Sequence, residues 1–378
     1  MAKKILFLTG TRADYGKLKP LMQAIEKDPS FICGVFVTGM HTLARYGYTV
    51  REVENGGFKN IHVFMNQIHG EPMDLILANT ISGLSRYVHE YKPDLIVVHG
   101  DRVETMAGAI VGALNNIHVA HIEGGEVSGT IDELIRHSVS KLSHIHFVSN
   151  AEASNRLMSL GEDPSTIFII GSPDIDVMLS PNLPALKTVK SYYQIPFDTY
   201  SVVAFHPVTT EHKLMRNYTE ELVAALEQSG KKYVVIYPNN DHGAEDILAV
   251  YDRIKNNPKF KLFPSLRFEY FLTLLKNAEF IIGNSSAGIH EAPVYTVPTI
   301  NIGTRQSNRF HYKSILNVDN KKEAILDAIR AVDRLEYCEP CLYFGEGNST
   351  SLFLKTLKGG DVWQIPKQKR FYDTITIK

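Results

Sequence analysis

Leu95-Ile96-Val97-Val98-His99-Gly100-Asp101-Arg102 is the stretch whose reading decides the fold. Four consecutive aliphatic residues leave no polar face, so the strand they form must be covered on both sides, as in a parallel sheet. The glycine and the charged pair behind them mark a strand end that faces solvent or a ligand. The same grammar recurs outward from this point. Strands are expected at Lys4–Thr9, Phe31–Val37, Ile61–Phe64, Leu95–His99, His118–Ile122, His146–Val148 and Phe168–Ile170, with helical patterns at Lys17–Lys27, Met73–Tyr91, Val103–Asn115 and Ile131–Leu142 between them. Strand and helix in alternation give a doubly wound α/β domain.

From Ser180 to Tyr200 the periodicity lapses around Pro181, Pro184 and Pro196, which reads as a linker. The alternation then restarts. Strands are expected at Ser201–Phe205, Tyr233–Tyr237, Phe280–Gly283 and Thr299–Ile302, and helices at Tyr218–Gln228, Ala244–Lys255, Phe268–Lys276 and Lys321–Arg334. A chain of 378 residues accommodates two domains at about 100–200 residues each. The expected division is residues 1–178, residues 179–358, and a tail of 359–378 that packs back on the first domain. Ligands of open α/β sheets sit beyond the carboxyl ends of the strands, so a cleft between two such domains is the expected site.

Composition narrows the function. The chain is 44% hydrophobic and 21% charged, and 40 basic residues against 41 acidic ones leave a net charge of -1. That balance speaks against a nucleic-acid binder held by bulk charge. The apolar run after Lys3 and Lys4 is too short for a secretory signal, and no stretch approaches the ~20 apolar residues of a membrane span, so a cytoplasmic protein is expected. Of three cysteines, Cys338 and Cys341 form a Cys-x-x-Cys late in the chain. With no second pair to complete a zinc site, they are read as ordinary reduced thiols.

Polar clusters follow the expected strands. Thr9-Gly10-Thr11-Arg12-Ala13-Asp14-Tyr15-Gly16-Lys17 offers a tight turn, helix N–H groups and two cations, which suits either an anion site or a plain strand-to-helix turn. It matches neither the dinucleotide fingerprint nor the P-loop. Asp101 and Arg102 suit catalysis or ligand orientation, with helix capping by Asp101 as the alternative. His121-Ile122-Glu123-Gly124-Gly125-Glu126 brings an acid and two glycines, and Asp132 and Glu133 follow on a helix with Arg136. Asp101, Glu123 and Asp132 are thus expected to converge, and clustered carboxylates separate into acid and base roles. With Arg102 and Arg136 beside them they suit a metal poorly. His206 stands at a strand end, as a titrating or phosphate-bridging group or a structural one. Ile282-Gly283-Asn284-Ser285-Ser286-Ala287-Gly288-Ile289-His290-Glu291 reads as a strand feeding a helix whose serines and amides cradle a diphosphate, with Glu291 accepting from ribose hydroxyls and Arg305 adding charge.

Several blocks stand in an order that resembles the hydrolysing UDP-N-acetylglucosamine 2-epimerases. They are TGTRADYGKLKP (9–20), VTGMH (37–41), HGDR (99–102), HIEGGEVSGTIDELIRHSVSKLSHIH (121–146), GSPDIDVM (171–178), FHPVTTEH (205–212), IYPNND (236–241), GNSSAGIHEAP (283–293) and INIGTRQSNR (300–309). The resemblance spans residues 3 to about 310 and is nearest to the bacterial enzymes that begin sialic-acid synthesis. It implies a GT-B-like α/β fold of two Rossmann-like domains and conversion of UDP-GlcNAc and water to N-acetylmannosamine and UDP. It implies no metal or redox cofactor, a small-molecule UDP-amino-sugar partner, and a homodimer or homotetramer. Within the matching blocks it assigns Arg12, Lys17, Arg102, His206, Asn239, Ser285, Ser286, Glu291 and Arg305 to substrate or UDP binding. Asp101, Glu123 and Asp132, with Glu133 and His206, fall to catalysis. Four alternatives are carried: a non-hydrolysing 2-epimerase, a hydrolysing 2-epimerase of a UDP-diacetamido-trideoxy sugar, a GT-B glycosyltransferase, and a non-catalytic sugar-nucleotide sensor.

Overall fold

The computed structural model describes residues 2–335 and 339–373 and divides into two compact units. The first holds seven strands: β1 (Lys3–Thr9), β2 (Phe31–Val37), β3 (Asn60–Val63), β4 (Leu95–His99), β5 (His118–Ile122), β6 (Ile145–Val148) and β7 (Ile167–Ile169). All pair in parallel, in the order β3-β2-β1-β4-β5-β6-β7. The second holds β8 (Ser201–Ala204), β9 (Tyr233–Ile236), β10 (Phe260–Phe263), β11 (Ile281–Gly283), β12 (Thr299–Ile302) and β13 (Ile315–Val318), again all parallel, in the order β10-β9-β8-β11-β12-β13. Both are the Rossmann order, with the winding reversing between β1 and β4 in one unit and between β8 and β11 in the other. The fold class is therefore α/β with two doubly wound, GT-B-like units.

Burial explains why these runs become strands. Ile5, Phe7, Val35 and Val97 point into one core of the first unit, while Ile96 and Val98 are equally buried on the other face. There the helix Val103–Leu114 lies so close that a Cβ on Gly108 would stand 2.6 Å from Val98 Cγ1. In the second unit Val203, Val235 and Ile282 pack on one side of the sheet, and Val202, Val234 and Ile281 on the other. No described helix is long and apolar enough to cross a membrane.

Several expectations need correction. The helix expected at Lys17–Lys27 begins at Arg12, because Thr11 and Asp14 form a capping box. The expected linker contains a helix, Leu186–Tyr193, and β10 and β13 were not expected at all. The segment 343–358, expected with the second domain, groups with the first unit. Its helix Ser349–Gly359 inserts Phe353 and Leu357 into the first unit's core, with Phe353 4.9 Å from Phe147 between ring centroids. The second unit instead includes Val127–Ile131 together with Pro181–Leu342. Gly129 N–H donates to the Arg305 carbonyl at 3.0 Å, at a spot where a Cβ would stand 2.2 Å from Thr304 O.

Candidate active site

At the first unit's crossover, Gly10 and Thr11 do not hold their amides open for an external anion, as the turn alone suggests. Both donate to the Asp14 carboxylate, at 2.9 and 3.0 Å, and the Thr9 hydroxyl joins them at 2.6 Å. Because that hydroxyl donates to Asp14, His41 must donate to it from Nε2 (3.0 Å) and accept from Thr49 through Nδ1 (2.6 Å). Burial pulls the His41 pKa down to about 4, in keeping with this neutral imidazole. Arg12 pairs with Glu52 at 2.5 Å. Lys17 is buried, with its Nζ 3.0 Å from Asp174 and 4.0 Å from Glu123.

Glu123 sits just past β5 with φ of +63°, in the left-handed region that a residue with a Cβ rarely adopts. Backbone strain of this kind persists where the surroundings hold a side chain in one place. One carboxylate oxygen accepts from the Ser172 hydroxyl, and the other lies 3.1 Å from His99 Nε2. Burial opposes a charge on His99, but the adjacent Glu123 carboxylate outweighs it and the pKa is raised. Two buried carboxylates, Glu123 and Asp174, thus face one lysine and a histidine inclined to take a proton.

Asp101 is not the cap of the helix Val103–Leu114; Arg102 occupies that position, and its Nε approaches Glu104 at 3.3 Å. Instead Asp101 pairs with the buried Arg136, whose Nη1 also donates to Glu126 O at 3.2 Å. Arg136 lies on the helix Ile131–Leu142, one turn after Asp132 and on its face. Asp132 and Glu133 occupy the first turn, where negative charge complements the helix dipole, and Glu133 reaches His137 at 3.8 Å. The loop before Asp101 is held as well. Gly100 O accepts from His121 Nε2 at 2.8 Å, and His121 Nδ1 meets the Ser140 hydroxyl at 3.0 Å. A carbonyl only accepts, so the His121 proton is on Nε2, and burial takes its pKa down to about 3.

At the second unit's crossover, the buried Asn284 bridges the two strand ends. Its Oδ1 accepts from His206 N at 2.6 Å and its Nδ2 donates to His206 O at 2.8 Å. His206 Nδ1 accepts from the Asn239 amide at 3.1 Å, which leaves the proton on Nε2. Arg305 and Gln306 both donate to Asn284 O, at 3.2 and 3.0 Å. Ser285 caps a short 3-10 turn, Ser286–Gly288, by accepting from Ala287 N. The long helix expected here is reduced to that turn and Glu291–Val294. Ser285 and Ser286 are half-buried while the residues flanking them are buried, and Glu291 is itself buried.

The structure thus gathers Glu123 with Lys17, and Asp101 with Arg136 on the helix whose first turn holds Asp132. It brings His206 to Asn239, and Arg305 to the loop of Ser285. The residues assigned no role from sequence are His99, Ser172, Asp174, Asp14 and Asn284. Each lies inside a block already singled out, and Thr11-x-x-Asp14 was a legible capping signature. Cys33 is buried, which pushes its thiol up and leaves it unreactive. Cys341 is buried, and Cys338 lies outside the described residues.

Comparison with known proteins bears on the family and the fold. Residues 23–358 match the family model described as UDP-N-acetylglucosamine 2-epimerase. The chain is similar to a UDP-N-acetylglucosamine 2-epimerase of Neisseria meningitidis serogroup B, 50% identical over 98% of this chain and 99% of that one. It is also similar to a UDP-N,N'-diacetylbacillosamine 2-epimerase (hydrolyzing) of Legionella pneumophila, 30% identical over 95% and 96% of the two chains. Among solved structures, UDP-GlcNAc 2-epimerase from Neisseria meningitidis bound to UDP-GlcNAc superposes with a TM-score of 0.79 over 94% of this chain and all of that one, at 20% identity, a likeness of fold.

Proposed function

Since the chain belongs to the UDP-N-acetylglucosamine 2-epimerase family, we propose that it is the hydrolysing enzyme, converting UDP-GlcNAc and water to N-acetylmannosamine and UDP for sialic-acid synthesis. The observation that carries the reading is the set of ionisable groups at the first unit's strand ends: Glu123 held by His99 and Ser172, and Asp101 held by Arg136.

The C2 proton of the sugar is not beside a carbonyl, so its removal needs a coupled departure. A carboxylate takes the C2 proton, the C–H electrons form the C1=C2 double bond, and the C1–O bond breaks with its electrons leaving on UDP. The 2-acetamidoglucal then accepts water oxygen at C1 and a proton at C2 from the opposite face, while the water's spare proton returns to a carboxylate. Two protonic groups are needed for this inversion. In this reading Asp101 and Glu123 handle the C2 proton, and Asp132, with Glu133, assists hydration. His99 offers Glu123 a proton partner. Cationic and amide donors stabilise the leaving diphosphate. Those donors come from the second unit: Ser285, Ser286, His206, Asn239 and Arg305, with Glu291 toward the ribose. Arg12, Lys17 and Arg102 complete the charge balance. The chemistry of this residue set requires no metal or redox cofactor.

A second reading takes a UDP-diacetamido-trideoxy sugar as substrate, supported by the Legionella pneumophila relative. Proton NMR of the products from each UDP-sugar tests both. Free N-acetylmannosamine from UDP-GlcNAc is expected. UDP-N-acetylmannosamine, or turnover of the diacetamido sugar alone, would overturn the primary reading.

A further inference from the structure

Ser172 is fully buried, and its hydroxyl donates to the Glu123 carboxylate. The turn that carries it is fixed from behind. Ser172 N–H donates to Phe344 O at 2.6 Å, and Ser172 O accepts from the Ser349 hydroxyl at 3.1 Å. Gly171, at φ +80°, has room for no Cβ without pressing on Gly345 Cα and Ser349 Oγ, both 3.0 Å away. Asp176, on the helix Pro173–Met178 that follows, caps the helix Ser349–Gly359 by accepting from the amides of Ser349 and Thr350 at 2.9 and 2.7 Å. The chain's return to the first unit thus pins a turn whose one polar side chain, the Ser172 hydroxyl, points at a carboxylate.

Lys17 does not take over this task. It lies 3.0 Å from Asp174 and 4.0 Å from Glu123, so its charge is drawn to the former. His99 Nε2 stands 3.1 Å from one Glu123 oxygen. Without Ser172 the other oxygen loses the hydrogen bond from the hydroxyl, which bears on the carboxylate's rotation.

We infer that Ser172 is the positioning residue for Glu123, fixing the carboxylate's rotation for proton transfer at the sugar. The inference rests on the role given to Glu123 above. A hydrogen bond to the ionised form also favours that form, so its loss raises the pH at which the carboxylate gains its proton. Orientation of a proton-transferring group is expressed in kcat more than in KM.

The test uses the full chain with UDP-GlcNAc, comparing Ser172→Ala, Ser172→Thr and Glu123→Gln for kcat, KM, the pH profile of kcat and UDP binding by calorimetry. Ser172→Ala is expected to lower kcat by roughly 10–100-fold, leave KM and UDP binding near wild type, and move the acid limb of the profile upward. Ser172→Thr, which keeps the hydroxyl, is expected to restore most of the rate and the profile. If Ser172→Ala fails to bind UDP, Ser172→Cys, similar in size and a weak donor, takes its place. An inactive Glu123→Gln beside a Ser172→Ala of wild-type rate and profile would overturn the positioning role and leave Glu123's role standing. Lost activity with an unmoved profile and no rescue by threonine would reduce Ser172 to packing. An active Glu123→Gln would overturn both.

Discussion

At the crossover of the first unit, ionisable groups touch one another: Glu123 with His99, Lys17 with Asp174, Asp101 with Arg136. At the crossover of the second, amides and hydroxyls do the holding: Asn284 with the His206 backbone, His206 with the Asn239 amide, Ser285 with Ala287 N. Both sheets have the same strand order, so topology does not make the difference. Side chains that exchange protons need partners that shift with protonation, whereas a ligand that keeps its charge needs fixed dipoles and one or two cations. In the proposed function, the first unit's groups move protons and the second unit's hold an anion.

Substitutions that affect only one of these tasks sharpen the contrast. Glu123→Gln and Asp101→Asn are expected to have the largest effect, lowering turnover by at least about 10³-fold while UDP affinity stays within about twofold. A parallel loss of UDP affinity, measured by calorimetry, would blur the division. Next comes the anion side. Arg305→Ala, or Ser285→Ala with Ser286→Ala, is expected to weaken UDP binding by roughly 10–100-fold, about 1.4–2.7 kcal/mol, with a smaller change in kcat at saturating substrate. The reverse pattern would move catalytic work into the second unit.

The smallest effect on turnover lies outside the residues of either crossover. Glu162 is buried, and burial alone would raise its pKa. The hydrogen bond from His146 at 3.0 Å and the charge of Lys369 overcome this and lower it to about 2. A folded-state pKa below the unfolded one contributes stability that is fully present above the ordinary carboxylate range and is lost as pH falls toward 2. That contribution is on the order of 2–3 kcal/mol. Glu162→Gln is therefore expected to lower stability at neutral pH and flatten the acid limb of a denaturation series, with kcat unchanged at a temperature where the variant is folded. Lys369 also donates to the carbonyls of Ser140, Lys141 and Ser143, which close the helix carrying Asp132 and Arg136. A fall in kcat of Glu162→Gln would tie the tail to the proton-moving end.

The sequence made the strand ends legible because apolar runs such as Leu95–Val98 stop at glycine and charge. Thus Asp101, Glu123, His206 and Ser285 are legible as polar residues at strand ends. Short strands are not legible where a polar residue interrupts them, as Lys261 does in β10 and Asn317 in β13. The left-handed backbone of Glu123 has no sequence signature, since glycine and asparagine announce positive φ and glutamate does not. Nothing in the local sequence around Ser172 and Asp174 announces a role for them. Their contacts with Glu123 and Lys17 exist only after the chain has crossed two further strands and the helix Ser349–Gly359 has returned to brace the turn. Capping by Asp14 was readable, yet the anion-site reading of Gly10 obscured it.

Exchange at C2 tests the central claim most directly. Wild-type chain and Glu123→Gln would be incubated with UDP-GlcNAc in deuterated water, and the sugar product examined by proton NMR. The account predicts amino-sugar product bearing deuterium at C2 from the wild type and none from the variant. Product that keeps its original hydrogen at C2, or labelled product from the variant at the wild-type rate, would contradict it.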